Sequence, residues 1–255
     1  MQPISVVIIC RNEAHVLGDT LESLQGLSDD LLVYDNGSTD GTQQLVRRSG
    51  GRLVEGPWEG YGLTKQRATA LARYDWILCL DADELPDPTL KMALLTCALD
   101  DPDRVYEASF RNFYGQKWVR YGEWGRDRHI RLFNRTRVRW NDAIVHEELI
   151  LPPGIRRELL KGWVLHRTVE NTEELIHKNT RYALLNAEKY FRQGKRVSWI
   201  KIYAAPGFAF LKYYLLRLGF LDGWEGFVCA RTTSYYTFLK YARLRERWRQ
   251  EKGRA

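Results

Sequence analysis

The sequence is poor in the features that mark a disulfide-stapled, zinc-fingered or membrane-spanning chain. Its four cysteines, Cys10, Cys79, Cys97 and Cys229, show no metal-finger spacing. Cys10 and Cys79 lie inside apolar runs, so buried free thiols in a reducing compartment are expected rather than a disulfide framework. The opening residues, Met-Gln-Pro-Ile-Ser, carry no basic segment and do not read as a signal peptide. The folded body is therefore expected in the cytosol. Long uninterrupted apolar runs are also missing. The stretch 202–221 is long enough to span a bilayer but contains Pro206, Lys212 and Arg217, which makes it a weak transmembrane candidate. There is no internal repeat and no low-complexity segment.

What is present is a 255-residue chain with 44% hydrophobic residues, enough to bury a sizeable core. The formal net charge of +7 is unevenly placed. Residues 197–255 hold eleven Lys and Arg against four Asp and Glu, while residues 1–196 hold 28 of each sign. A neutral body with a basic tail points to an anionic surface as the tail's partner. Nucleic acid is the weaker choice, because no nucleic-acid-binding module is recognisable.

Ser5-Val-Val-Ile-Ile-Cys10 is a β-branched apolar run, as expected of a strand buried on both faces of a parallel sheet. Residues 12–27 carry apolar side chains at helical spacing. Further strands are expected at 31–34, 52–55 and 76–80. Helices are expected from the turn 35–42 through Val46, with Thr39 or Asp40 as cap, and at 63–73, 90–99 and 170–192. Strands and helices alternate, so the fold class is α/β, with a mostly parallel open sheet flanked by helices. Residues 104–140 suggest mixed or antiparallel strands. From Ser198 on, aromatic segments are broken at Pro206-Gly207, Gly219 and Gly223.

Ligands of open α/β sheets bind beyond the carboxyl ends of the strands. Three polar segments fall there: Cys10–Glu13, Asp35–Thr42 and Asp81–Glu84. On an extended chain Asp81 and Asp83 point to one side and present their carboxylates together. Two such carboxylates suit Mg²⁺ or Mn²⁺, which would neutralise a departing diphosphate. A solvated acidic turn is the plainer alternative.

Val6-Val-Ile-Ile-Cys-Arg-Asn-Glu13, Asp35-Asn-Gly-Ser-Thr-Asp-Gly-Thr42, Lys65-Gln-Arg67 and Leu80-Asp-Ala-Asp-Glu84 occur in this order. Together they resemble the family 2 glycosyltransferases, whose GT-A fold is a nucleotide-binding α/β domain. Arg131-Leu-Phe133, Val145-His-Glu-Glu148, Leu165-His-Arg-Thr168 and Phe220-Leu-Asp-Gly-Trp-Glu-Gly-Phe227 narrow the likeness. They are similar to the lipopolysaccharide inner-core β-1,4-glucosyltransferases of Gram-negative bacteria. The general resemblance covers about residues 4–150, and the narrower one runs to about 245.

The resemblance implies that Arg11, Asn12 and Glu13 lie beside the base and ribose of a UDP-sugar. It implies that Asp35 meets the uracil edge and that Lys65 and Arg67 border the nucleotide. Asp81 would face ribose and metal, and Asp83 would ligate the metal. Each residue also has a plainer use: Glu13 in a helix's first turn, Asp35 in its own turn, Lys65 and Arg67 on a solvated helix face.

Inverting transfer needs a base for the acceptor hydroxyl. Glu147 is the candidate, with Glu148 its competitor. The acidic pair usual in the family is replaced here by His-Glu-Glu. His146 and His166 are candidate third metal ligands beside Asp81 and Asp83, and His166 is the one assigned. Arg126, Arg128 and Arg131 form a cationic cluster suited to a phosphate, or else pair with acids. Trp118, Trp124 and Trp140 suit sugar stacking, with core packing expected for at least two.

The expected organisation is a GT-A catalytic domain over 1–170 and a helical, basic and aromatic membrane-docking appendage over 171–255. Phe208–Phe220 forms the apolar patch and Arg243–Arg254 adds charge for anionic lipid. The implied reaction moves glucose from UDP-glucose to a lipopolysaccharide-core heptose at the inner face of the cytoplasmic membrane, with a divalent metal. The alternatives are a polyprenyl-lipid or protein acceptor, or a non-catalytic adaptor with the same fold.

Overall fold

The apolar runs become the centre of a sheet. The computed structural model describes residues 2–143 and 147–252. By internal contacts the chain divides into two units, Met1–Arg111 with Asp127–Arg167, and Asn112–Arg126 with Thr168–Ala255.

In the first unit, β1 (Ile4–Cys10) is buried at every position, because it is flanked on both sides and covered on both faces. It pairs in parallel with β2 (Asp30–Asp35) and β4 (Trp76–Asp81), and β2 pairs in parallel with β3 (Arg52–Glu55). Helices α1 (Ala14–Ser23), α2 (Thr42–Arg48) and α3 (Tyr61–Ala70) make the crossovers. The sheet is parallel only through this half. β8 (Arg128–Asn134) joins β4 antiparallel, and β6 (Arg104–Tyr114) joins β8 antiparallel. β11 (Arg156–Val169) pairs antiparallel with the three-residue β5 (Glu84–Pro86). The mostly parallel sheet expected from the sequence is thus a mixed sheet, ordered β3-β2-β1-β4-β8-β6-β11-β5, with a separate antiparallel pair of β9 (Arg139–Trp140) and β10 (Leu149–Ile150). The reason is the connections: strands after 104 are joined by turns, which allow antiparallel neighbours without a crossover.

Two layers of side chains fill this unit. Ile4, Val6, Ile8, Leu17, Leu21, Leu78 and Leu80 pack on one face, and Val7, Ile9, Leu32, Ile77, Phe133 and Trp140 on the other. α1 stops at Ser23, short of the expected Leu27. α4 (Pro88–Thr96) starts on Asp87, whose carboxylate accepts from the Leu90 N–H at 2.7 Å. α2 begins one residue beyond the expected caps, with Gly41 at φ 105° and no side-chain cap. Asp40 instead accepts from the Thr42 N–H at 3.0 Å and the Ala14 N–H at 3.0 Å, tying two helix starts together.

The second unit holds β7 (Lys117–Val119), paired with the end of β6, and three long helices. These are α5 (Thr172–Arg192), α6 (Trp199–Phe210) and α7 (Gly223–Lys252). Val169, Leu175, Val228 and Cys229 form its core. Pro206-Gly207 does not break the chain as expected. α6 runs through it and continues as a π-helix, Leu211–Leu216. Pro removes one helical N–H, and the Pro206 carbonyl is held by the Ser234 hydroxyl at 2.8 Å. No helix among the described residues is long and apolar enough to cross a membrane.

Candidate active site

Because β2 and β4 flank β1 in parallel, all three strand ends emerge together, and Cys10 lies opposite Asp35 while Ile9 lies opposite Asp81. The first two ends form a braced turn. Asn12, at φ 58°, accepts from the Thr39 N–H at 2.8 Å and donates its own N–H to the Ser38 hydroxyl at 2.8 Å. The Glu13 N–H reaches the Thr42 hydroxyl at 2.9 Å, and Arg11 is exposed. Asp35 is fully buried and accepts from the Gly37 and Ser38 N–H groups, the Ser38 hydroxyl and the Gln43 amide. Burial raises its pKa, but these donors outweigh it and hold the carboxyl below the usual range. Asp35 shapes the turn with its carboxylate, whose oxygens are taken up by the loop's own donors and Gln43 rather than left facing outward.

The third strand end differs from the extended Asp-x-Asp expected. β4 stops at Asp81 and the chain turns at Ala82–Asp83 before β5. The two carboxylates therefore face different partners. Asp81 lies 2.9 Å from Lys65 Nζ and 3.6 Å from Arg131 Nη2. Asp83 lies 3.2 Å from His166 Nε2 on β11.

Lys65 is the pivot. It sits on α3 among the small residues Gly62, Thr64, Ala68 and Thr69 and is only 2% exposed. An isolated buried ammonium would lose several kcal/mol of hydration, so it must be paired. It is paired twice, with Asp81 and, at 2.6 Å, with Glu147 Oε1, and it lies 5.0 Å over the Trp140 ring. Burial lowers its pKa, but Asp81 and Glu147 overcome that and hold it above the ordinary lysine value. Burial likewise raises the Asp81 pKa, and Lys65 and Arg131 reverse this, leaving the carboxyl well below the usual range.

Arg131 does not reach out to a phosphate as its place in the cationic cluster allowed. It forms a two-pronged pair with buried Glu84, at 2.8 and 2.5 Å, and stacks 5.0 Å over Phe110. The result is one line of alternating charge: Glu147, Lys65, Asp81, Arg131, Glu84. Arg67 stands apart, half-exposed and paired with Glu59 at 2.7 Å. His146 lies outside the described residues. Glu148 is held by its carbonyl, which accepts from the Asn141 N–H at 3.0 Å. Trp140 is buried against Phe133, as packing predicts.

Among the described residues no group of three His, Cys, Asp or Glu side chains is arranged to hold a metal. Asp83 and His166 nevertheless fit a hard divalent cation. Their ligand atoms are 3.2 Å apart, close to the roughly 3 Å between adjacent ligands of an octahedral ion with bonds of about 2.1 Å. Such ions take few protein ligands and complete their shell with water and substrate phosphates. Asp81, assigned as a ligand from the sequence, has its oxygens turned to Lys65 and Arg131 instead.

Two partners of the site had no role of their own in the sequence reading. Glu84 follows the Asp-x-Asp and looked like part of an acidic turn. Gly62 lies one residue before the helix expected at 63–73 and falls inside α3. A Cβ there would stand 2.0 Å from the Asn141 carbonyl, and its N–H bonds the Ala143 carbonyl at 3.0 Å. This contact holds Asn141 and Ala143 against α3. Gly62→Ala is expected to destabilise the fold by about 1–3 kcal/mol, measured by urea unfolding, and to reduce turnover further by shifting α3 and with it Lys65 from Asp81.

The carboxyls of Asp30, Asp35 and Asp81 are all more acidic in the fold than usual. Such groups stabilise the fold above their unfolded pKa, about 3.9, and lose that contribution as protons bind below it. The urea midpoint is expected to hold between pH 7 and 5, by about the same criterion, and to fall steeply below about pH 4.

The mixed sheet flanked by helices, followed by a long C-terminal helix, is an α/β fold of the GT-A kind. The chain belongs to glycosyl transferase family 2, whose model matches residues 5–163. It is 32% identical to the lipopolysaccharide core biosynthesis glycosyltransferase LpsC of Rhizobium meliloti, over 96% of this chain and 93% of that protein. It is 28% identical to a glycosyltransferase of Rickettsia typhi, over 96% of this chain and 88% of that one. Among solved structures it resembles glucosyl-3-phosphoglycerate synthase of Mycobacterium tuberculosis in complex with Mn²⁺, UDP-glucose and glycerol 3-phosphate. There the identity is 28%, with 45% of each chain covered and a TM-score of 0.35, a loose superposition.

Proposed function

We propose that this family 2 glycosyltransferase transfers glucose from UDP-glucose, with inversion, to a heptose hydroxyl of the lipopolysaccharide inner core. The acceptor is lipid-linked, so the enzyme works as a peripheral protein at the cytoplasmic face of the inner membrane. The likeness to LpsC along nearly the whole of both chains supports the acceptor class. The observation that carries the chemistry is the Lys65 bridge, which sets Glu147 beside Asp81 although they are distant in sequence.

In this reading the acceptor oxygen attacks the anomeric carbon, the bond from that carbon to the UDP diphosphate breaks, and Glu147 takes the hydroxyl proton. Lys65 holds Glu147 by one oxygen and keeps the carboxylate aimed. Arg11, Asn12 and Glu13 line the base and ribose, with the Asp35 turn behind them, and Asp81 faces the ribose. Lys65 and Arg67 mark the border of the nucleotide. A divalent cation, Mg²⁺ or Mn²⁺, held by Asp83 and His166 with Asp81 beside them, would neutralise the leaving diphosphate.

The experiment is UDP release from a panel of UDP-sugars, with and without deacylated lipopolysaccharide core. The reading expects release from UDP-glucose that the core stimulates and that EDTA abolishes. Stimulation by polyprenyl phosphate or a peptide instead would move the acceptor. Release unaffected by EDTA would remove the metal.

A further inference from the structure

Exposed apolar side chains are not spread evenly over this molecule. Of the twenty-two large hydrophobic residues exposed among the described residues, eleven fall between Trp199 and Trp224. Isolated exposed apolar residues are normal, but contiguous ones mark an interaction surface. On α6 they follow helical spacing. Ile200, Tyr203, Ala204, Gly207, Phe208 and Leu211 face outward, while Ile202 and Ala209 face in. Lys201 aside, the helix is apolar all round, with one apolar face packed inward and the other turned to solvent. The π-helix and the following 3₁₀ turn, Gly219–Asp222, extend the surface with Leu215, Leu216, Leu218, Phe220 and Leu221.

Charge identifies what covers it. From Lys189 to Leu221 the chain has seven Lys and Arg and not one Asp or Glu. Lys201 and Arg217 are exposed within the apolar segment, and Lys212 is half-buried. Long cationic side chains beside aromatic and leucine side chains suit a headgroup layer, where stems meet acyl chains and charges meet phosphate. The one acid within the surface, Asp222, is buried, and a protein partner with a matching apolar face would gain nothing from so one-sided a charge. Three cations near the C-terminus are engaged within this unit, one of them at the edge of the surface. Arg247 pairs with Glu188 at 3.0 Å, Arg243 with Glu246 at 3.0 Å, and Arg245 stacks 3.6 Å over Trp199. Leu218 is a further sign: it is exposed although its φ of 57° is one that leucine rarely adopts.

We infer that the Trp199–Trp224 surface is an interfacial anchor that inserts its apolar side chains into one leaflet of an anionic bilayer. It rests on the proposed function only for what the leaflet carries, the acceptor lipid. Binding needs no catalysis, so the two can fail separately.

The test is cosedimentation of the full chain with vesicles of phosphatidylcholine containing roughly one-quarter phosphatidylglycerol. The wild type is expected to bind these and to bind pure phosphatidylcholine vesicles much less. Ile200→Ser/Leu216→Ser/Trp224→Ser changes side chains that are 79%, 67% and 66% exposed, so the fold should survive. It is expected to weaken binding by about a hundredfold or more. Lys201→Gln/Lys212→Gln/Arg217→Gln should weaken it about tenfold or more and remove most of its salt dependence. Leu218→Gly relieves the backbone, so weaker binding with an unchanged or higher Tm would separate docking from folding. UDP release with the water-soluble deacylated acceptor should be unchanged in the triple serine variant. Vesicle binding by that variant equal to wild type overturns the inference, as does a wild type that ignores anionic vesicles. A wild-type dimer that the same variant converts to monomer, without vesicle binding, assigns the surface to a second copy of the chain and also overturns it.

Discussion

Glu147→Gln is expected to lower acceptor-dependent transfer by about 10²–10⁴-fold, with UDP-glucose binding changed little. Glutamine keeps an oxygen that can accept from Lys65, so the bridge and the fold should persist. What is lost is the ability to take a proton. Glu148→Gln is expected to stay near wild type, because Glu148 is the residue whose carbonyl secures the strand pairing while Glu147 is the one on Lys65. The effect should fall on kcat rather than KM for the donor. Single-turnover rates for both variants decide the matter. A dead Glu148→Gln beside an active Glu147→Gln would move the base by one residue.

Arg131→Met carries the second large effect, on stability. It would strand Glu84, whose side chain is 2% exposed, without its cation, and remove one of the two cations on Asp81. Breaking a buried pair from one side costs about 3–5 kcal/mol, a large share of the roughly 5–15 kcal/mol that holds a domain together. Adding Glu84→Leu should recover much of the loss, since an apolar pair can replace a buried ion pair. The double variant should fold but transfer poorly, with Asp81 less firmly oriented. Urea unfolding of the single and double variants measures this. A single variant that loses less than about 1 kcal/mol would show that the pair acts like an exposed salt bridge.

The parallel half of the fold was legible because a strand buried on both faces has one reading. β1, β2, β3 and β4 fall within a residue of where their apolar runs place them. From there it follows that three polar strand ends meet, since β1 lies between β2 and β4. The Asp81–Asp83 arrangement was not legible, because alternation along an extended chain says nothing about a turn that begins one residue later. Nor was the function of Arg131 as Glu84's partner, which joins residues 47 apart in sequence. Lys65 was legible as a site residue but not as the bridge, because its partner Glu147 is 82 residues away. A weak signal was present: the small residues Gly62, Thr64, Ala68 and Thr69 beside the lysine let another segment approach this helix closely, as Asn141 does at Gly62. Pro206 misled for the opposite reason. Proline's local preference is real, but packing within the helical unit overrides it.

The most direct measurement is the anomeric configuration of the product. Incubation with UDP-glucose labelled in the sugar and deacylated lipopolysaccharide core, followed by NMR, reads both the new linkage and its position. The account predicts a β-linked glucose on an inner-core heptose and one UDP released for each bond formed. An α-linked product, or UDP released with no glucose on the core, would contradict it.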